Sequence, residues 1–326
     1  MCISLSFFFP IIITAASVGD KINSVFQDIL DGIENMIKGI LADGIVNGVE
    51  LIVSLLSDGL NSGSSSGIAS IIHDYLITRP DRFDGGFVWN NVMAISELVV
   101  VPIATTIVAV ISVYDLYQMV VVGNGMHDFD SSIFVRWLIK TNIALILVSN
   151  VFSITTEIFT WGSSAAFYSS DWVGNLIGDT TVGTELKEAL MKYSIGELII
   201  TFLLGAITLI AVFGLFAAIL LTLLSRMIEC MMYVSIAPIP MATMLNNEMK
   251  GVGDSWLRGL IALAFQSFFI IIALTFFSSL FTGVIDDMVK GNNILWSMVL
   301  LCGYSLALIY TVLRTGQISK SMFGAH

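Results

Sequence analysis

The path of this 326-residue chain depends on the stretch SIAPIPMATML, Ser235–Leu245, which is followed by SWLRGLIALAFQ, Ser255–Gln266. An uncharged run of 28 residues that ends at Arg226 leads into it. Pro238 and Pro240 stand in a segment apolar enough for a membrane, yet proline lacks the N–H that a helix interior needs. The stretch is therefore either a kinked sixth membrane span or a re-entrant elbow that neighbouring protein buries.

Composition assigns most of the chain to a membrane. Hydrophobic residues make up 56% of it and charged residues 12%, and the mean hydropathy is +0.90, whereas soluble domains carry about 25% charged residues. Six uncharged runs have 17, 16, 28, 18, 27 and 23 residues, and a spanning helix needs about 20. Since the runs lack the polar alternation of barrel strands, we expect an all-α polytopic membrane protein with five spans, or six.

Charge and cysteine usage argue against catalysis and against static nucleic-acid binding. The net charge is −11, and tight DNA binding needs basic groups that replace counterions on the phosphates. The cysteines and histidines are scattered without metal-ligand spacing: Cys2, Cys230, Cys302, His73, His127 and His326. We expect no enzyme activity, no cofactor and no metal.

The chain divides into five regions by hydropathy and turn residues. Residues 1–19 form an uncharged hydrophobic segment, which is a signal or anchor, an upstream extension or a membrane-lying helix, and residues 20–60 are amphipathic. Residues 61–91 form a linker and a pre-membrane loop, because NSGSSSG begins them and glycine with serine favours flexible chain. Residues 92–319 form the polytopic domain, and 320–326 form a cytoplasmic tail.

The amphipathic region carries an apolar stripe at helical spacing. Its first members are Ile22, Phe26, Ile29, Ile33, Met36, Ile37 and Ile40, and a second, weaker stripe begins at Ile45. We expect Gly39, Gly44 and Gly48 to loosen a junction between two helices. These helices lie on the membrane, pack against neighbouring subunits or form a small bundle. Residues 1–90 hold 10 acidic and 4 basic side chains, which favours partner packing over anionic lipid.

Lysine and arginine near span ends indicate the orientation, because cytoplasmic ends are enriched in them. Five spans with an external N-terminus give seven such residues inside against three outside. The seven are Arg136, Lys140, Arg226, Lys250, Arg258, Arg314 and Lys320. Six spans with an internal N-terminus give six against four. Both arrangements place the C-terminus in the cytoplasm.

Several motifs together resemble the TrbL family of type IV secretion proteins. Ala237-Pro238 with Ile239, a short charged loop and then Trp256-Leu257 form the first match. VVVPIATTI, the loop GNGMHDFD and FVRWLIKTNIA, which begin at residues 99, 123 and 134, form the others. The resemblance covers Thr78 to about Ser319, and it looks like the branch carried by conjugative elements of Gram-positive bacteria.

The resemblance implies a multi-pass subunit of the cell membrane with five spans, an external N-terminus and a cytoplasmic Ala-Pro to Trp-Leu loop. It also implies a homo-oligomeric ring that works with secretion ATPases and other channel subunits, in contact with membrane lipids. The expected function is to help form the passage for relaxase-bound single-stranded DNA. A polytopic small-solute transporter or permease subunit is the alternative, although the intramembrane ionic groups that it needs are not apparent.

Four groups of residues are candidates for function. Ala237, Pro238 and Pro240 form the topological elbow, and Trp256 with Leu257 forms an interfacial anchor, which we favour over a partner contact. In the five-span arrangement three carboxylates fall at outer span ends, where they form either an acidic ring or solvated helix ends: Glu97, Glu157 and Glu197. Two small-xxx-small pairs permit close helix packing: Gly214 with Ala218, and Gly303 with Ala307.

Overall fold

The computed structural model describes residues 5–60, 68–122, 131–174, 183–244, 246, 248–290 and 293–325. Within these ranges every regular element is a helix. The α-helices are α1 Leu5–Leu60, α2 Ile68–Ile77, α3 Phe87–Ile95, α4 Val101–Tyr117, α5 Ser131–Ser149, α6 Val151–Gly174, α7 Gly183–Leu190, α8 Ile195–Ser235, α9 Pro238–Thr243, α10 Lys250–Val289 and α11 Ile294–Met322. The predicted all-α class is therefore confirmed.

Four helical stretches are long and apolar enough to cross a membrane. They are Pro80–Val121, Ile195–Ser235, Lys250–Met288 and Ile294–Met322. A fifth candidate consists of Phe134–Ser149 and Val151–Ser169, which meet at a bend of 64°. This agrees with five predicted spans by length and composition. The six-span alternative needed a separate crossing at 227–245, but α8 continues through that run as far as Ser235.

Two of the spans differ from their predicted form. The first, expected from about Val92 to Tyr114, runs from Pro80 to Val121. Its backbone leaves helical geometry at Phe83, Asp84 and Gly85, and π-helical turns lie at Ser96–Val100 and Gln118–Val122. The second, expected as one helix, is broken at Asn150. The backbone N–H and the side-chain amide of Asn150 both donate to the Ile146 carbonyl, at 3.0 and 2.8 Å. Such side-chain competition for a helix carbonyl favours a bend.

The chain separates into two compact units, and neither is continuous in sequence. Unit 1 contains Met1–Val53, Thr180–Ile210 and Gly283–Cys302. Unit 2 contains Ser54–Asp179, Ala211–Thr282 and Gly303–His326. Long helices supply segments to both units, so the division by contacts differs from the linear division into an amphipathic region and a membrane domain.

The helix α1 of unit 1 is one element, not the two helices that the glycines predicted. From Ala42 to Ile52 its apolar face is buried against α7 and the start of α8. A Cβ at Gly44 would lie 2.9 Å from the Phe202 ring, and one at Gly48 would lie 3.5 Å from Leu209. Gly39 faces open space. Gly44 and Gly48 therefore serve close helix packing rather than a break.

Candidate functional site

The elbow, which we define as residues 236–243, begins where α8 ends at Ser235. Pro238 and Pro240 cannot donate backbone hydrogen bonds, so the chain turns at Ile236–Ala237 and continues as the short helix α9. The Ala237 N–H bonds to the Val234 carbonyl at 3.2 Å, a tighter pairing than in an α-helix. Every residue of α9 except Ile239 is buried, as is Ala237. Protein therefore buries the elbow except at Ile236, which is exposed, and at Ile239, which is half-buried. A re-entrant path stays a prediction.

Side chains from distant segments satisfy two carbonyls near the end of α8. The Trp256 indole N–H donates to the Tyr233 carbonyl at 3.1 Å. The Ser96 hydroxyl donates to the Ser235 carbonyl at 2.6 Å. Unpaired backbone groups are costly away from water, and a helix end leaves its last carbonyls without intrahelical donors. These two bonds replace the donors that the turn and the prolines remove.

This role differs from the one expected for Trp256. Its side chain is 6% exposed, and it packs in the same apolar cluster as Ala237 and Met241. The indole braces the elbow from inside unit 2, which leaves little of the ring for lipid headgroups or a partner. Leu257 packs against the edge of the same cluster.

Small side chains let the elbow approach two helices of unit 2. The apolar cluster joins Met241 and Ala242 to α4 and α5, and these helices supply Ala104, Val108, Ala144 and Val148. On the other side the first turns of α10 contact the elbow at a glycine. A Cβ at Gly253 would lie 2.4 Å from Met244 Cγ and 2.8 Å from the Pro240 carbonyl oxygen. Only glycine fits this contact without displacing backbone.

A polar node fixes the chain just beyond α9. The Lys140 ammonium lies 2.6 Å from Asp115 Oδ2, and Asn246 Nδ2 donates to Asp115 Oδ1 at 2.8 Å. Asn246 Oδ1 accepts the backbone N–H groups of Glu248 and Met249 at 2.8 and 3.0 Å. One asparagine therefore connects the turn before α10 to an ion pair between α4 and α5.

A second link joins this turn to α4 at its surface. The Glu248 carboxylate accepts hydrogen bonds from the Gln118 amide at 2.7 Å and from the Tyr114 hydroxyl at 3.1 Å. Both bonds are exposed, so they contribute less than the buried node does. Together the two links bind the segment after α9 to the end of the first span.

The sequence did not predict that Arg226 would be buried. Its side chain is 1% exposed, with Nε 2.8 Å from the Leu263 carbonyl and Nη2 3.3 Å from the Ala264 carbonyl of α10. Its Nη1 atom has no hydrogen-bond partner among the residues that the structure describes. Arg226 is therefore not a cytoplasmic surface charge, and removing it changes the five-span count from seven against three to six against three.

A glycine makes this arrangement fit. A Cβ at Gly162 of α6 would lie 2.2 Å from the Ala264 carbonyl oxygen and 2.6 Å from its carbon. Helices α6 and α10 therefore touch backbone to backbone beside the arginine. The run WGSSAA at 161–166 was a signal for close packing, although sequence reasoning did not use it.

The three candidate ring carboxylates are all exposed. Glu97 follows Ser96 in the π-helical turn of unit 2, and Glu157 lies on α6 in the same unit. Glu197 belongs to unit 1. There its carboxylate accepts the backbone N–H of Ser194 at 3.0 Å and the Ser194 hydroxyl also bonds to it, which makes a capping box for α8. A ring in an assembly stays a prediction.

The two small-residue pairs differ in their surroundings. A Cβ at Gly214 would lie 3.7 Å from Ile309 of α11, and Ala218 is half-buried. Gly303 and Ala307 are exposed, and a Cβ at Gly303 would meet no atom within 4 Å. In the parts of the chain with defined placement, no group of three or more His, Cys, Asp or Glu residues could hold a metal ion.

Comparison with known families decides the affiliation. The profile described as TrbL/VirB6 plasmid conjugal transfer like protein matches residues 68–238, slightly more than half of the chain. The chain belongs to the TrbL/VirB6 family. The matched region of this family member begins at α2 and ends at Pro238, so it includes Ser96, Asp115 and Arg226. Neither curated proteins nor solved structures gave a match.

The family match identifies the chain as a membrane subunit related to type IV secretion and conjugal transfer. It also agrees with the resemblance seen in the motifs around Pro102, Arg136 and Pro238. The last of these is where the matched region ends, so α10, which supplies Trp256 and Gly253 to the elbow, lies beyond it.

Proposed function

We propose that this chain is a channel or scaffold subunit of a type IV secretion machine that helps form the passage for relaxase-bound single-stranded DNA. The observation that carries the proposal is the TrbL/VirB6 match over residues 68–238, which includes α4, α5 and α8 and ends at the first residue of α9. A subunit without visible catalytic groups acts through its structure. The largely buried elbow would hold the ends of its helices in a fixed arrangement.

The proposed arrangement has five spans, an external N-terminus and a cytoplasmic C-terminus. Subunits assemble into a homo-oligomeric ring in the cell membrane and work with secretion ATPases and other channel subunits. The motifs favour a Gram-positive host, in which the external part faces the cell wall. Once the buried Arg226 is left out, the basic residues at span ends count six against three in both the five-span and the six-span arrangement. The proposed orientation therefore rests on the family resemblance and on the five candidate spans.

Charge supports weak contact with a moving polyanion. The chain carries 25 acidic and 14 basic residues, and conduction needs binding weak enough for the substrate to leave. We propose Glu97, Glu157 and Glu197 as acids that face the passage in the assembled ring. All three are exposed in the isolated chain.

Transfer frequency in mating tests the proposal. An in-frame deletion should abolish transfer of the element, and the intact gene in trans should restore it. The Glu97→Gln, Glu157→Gln, Glu197→Gln triple variant should lower transfer at normal protein level, because a less acidic passage retains DNA longer. The matched control replaces Glu185 and Glu188, exposed acids of α7, and should transfer normally. Normal transfer by the deletion strain would contradict the function, and normal transfer by the triple variant would contradict the acidic ring.

One observation keeps a solute transporter as the second candidate. A transporter needs ionic groups inside its helix bundle, and Asp115 with Lys140 forms such a group, with side chains 10% and 24% exposed. The pair is already matched in charge and bonded to Asn246, which suits a structural role better than solute binding. A deletion strain that transfers DNA normally but loses growth on one nutrient would favour the transporter.

A further inference from the structure

Residues 26–40 of α1 present an apolar face that nothing in the described chain covers. Five side chains are 47% to 66% exposed although all are large and apolar. We name them the α1 seam: Phe26, Ile29, Ile33, Met36 and Ile40. The helix becomes buried only from Ala42 onward, where it enters the core of unit 1. Exposed apolar surface of this extent indicates an interaction site.

The spacing of the seam is that of a coiled coil. Its members follow one another at intervals of three, four, three and four residues, which is the 3.5-residue period of a heptad repeat. Phe26, Ile33 and Ile40 occupy a positions, and Ile29 and Met36 occupy d positions. The same spacing also fits the apolar face of an ordinary amphipathic helix, so the choice of occupant rests on the charges around the seam.

The flanking positions extend the apolar face without adding charge. With Phe26 at an a position, the e positions that follow it hold Leu30 and Ile37. The g positions hold Val25, Gly32 and Gly39. A Cβ at either glycine would meet no atom within 4 Å, so a second helix could approach closely there. Like charges at e and g are what commonly separate identical helices, and here these positions carry none.

The polar face argues against a lipid surface as the occupant. All charges of residues 23–41 lie at b, c and f positions, namely Asp28, Asp31, Glu34 and Lys38. Glu34 and Lys38 pair at 2.8 Å, which leaves two unpaired negative charges. Helices that lie on membranes are rich in lysine and arginine on this face, because the lipid surface is anionic.

We propose that the α1 seam binds the same segment of neighbouring copies of this chain in a parallel, in-register coiled coil. The proposal rests on the homo-oligomer of the proposed function and names its interface. In a closed ring every subunit has the same orientation to the membrane, so neighbouring α1 helices run in the same direction. Identical a and d residues then meet in layers at the axis of the coiled coil.

Disulfide crosslinking of the full-length chain in native membranes tests this. Cys2, Cys230 and Cys302 are first replaced by alanine. Single cysteines are then placed at the seam positions Ile33 and Met36, or at the control positions Asp31 and Asn35, which are f and c. Mild oxidation should give covalent dimers at both seam positions and at least fivefold less at both controls, at equal protein levels.

Each other outcome overturns the proposal. Equal dimer formation at all four positions indicates random collision, and no dimer at any position indicates that another molecule or lipid covers the seam. A seam cysteine labelled by a lipid-phase reagent indicates membrane docking. The deletion test of transfer is independent, so loss of transfer without seam crosslinks would refute the interface and leave the proposed function standing.

Discussion

Replacing Gly253 by alanine should destabilise the chain, whereas the same change at Gly251 should not. Both glycines lie in the first turn of α10, but a Cβ at Gly251 would meet no atom within 4 Å. A Cβ at Gly253 would lie 2.8 Å from the Pro240 carbonyl oxygen, which must move by about 0.6 Å to reach an ordinary contact of 3.4 Å. Since Pro240 belongs to the buried backbone of α9, the elbow has to shift.

The expected magnitude follows from two opposing effects. In a helix alanine is more stable than glycine by up to about 1 kcal/mol. Both variants should be stabilised to a similar extent by this effect, because the two positions lie in the same turn. Overpacking costs about 1–3 kcal/mol and affects Gly253 alone. The difference in unfolding free energy between the variants should therefore be about 1–3 kcal/mol, with Gly253→Ala the less stable.

Thermal unfolding of the detergent-solubilised full chain, followed by tryptophan fluorescence, measures this difference. Gly251→Ala should keep or raise the Tm. Gly253→Ala should unfold at least about 2 °C lower, by the scaling of Tm with stability for chains of this size. If the two variants unfold at the same temperature, the close contact between α10 and the elbow is not as described, and the reasoning fails.

Three further predictions concern the braces of unit 2. Trp256→Phe removes the indole donor to α8 and should cost about 1–3 kcal/mol, whereas the exposed Trp161→Phe should change stability by less than about 0.5 kcal/mol; unfolding temperatures compare the two. Asp115→Asn leaves Lys140 without its counter-charge and should lower the stability of the fold by about 3–5 kcal/mol. The double variant with Lys140→Met should recover part of the folded protein, which size-exclusion chromatography measures. A double variant as poor as the single one would argue against the ion pair. Gly162→Ala forces two backbones apart and should cost about 3 kcal/mol, and an unchanged Tm would contradict the helix contact.

Local sequence signals predicted the parts of this fold that depend on local chemistry. The helical class followed from uncharged runs and hydropathy, and the end of α8 followed from Pro238 and Pro240 because proline acts on its own turn. The family resemblance rested on motifs of the same local kind. These features need no knowledge of which helices are neighbours.

Features that depend on distant partners were missed. Ser96 and Trp256 cap the end of α8 from 139 and 23 residues away along the chain, and no local pattern marks a serine or tryptophan for that task. Arg226 resembled a span end because a charge after an apolar run usually marks one. Only the carbonyls of α10 explain its burial.

Glycines show the same limit. Gly162 is required by a backbone contact, while Gly303, which stood in a small-xxx-small pair, faces open space in the described chain. Both look alike in sequence because glycine spacing indicates that helices can approach but not which helices do. The bend at Asn150 was missed for a related reason. Asn142 makes the same side-chain bond to a carbonyl four residues back, and its helix stays continuous, so an asparagine alone does not mark a bend.

Formaldehyde crosslinking in mating cells measures whether this chain contacts DNA during transfer. Donor cells in mating are treated with formaldehyde, the epitope-tagged chain is precipitated, and element DNA is measured against chromosomal DNA. We expect DNA next to the transfer origin to be enriched in the precipitate. This enrichment should disappear when the coupling ATPase is deleted. Precipitates without enrichment, in cells where the coupling ATPase itself still recovers that DNA, would contradict a role in the passage.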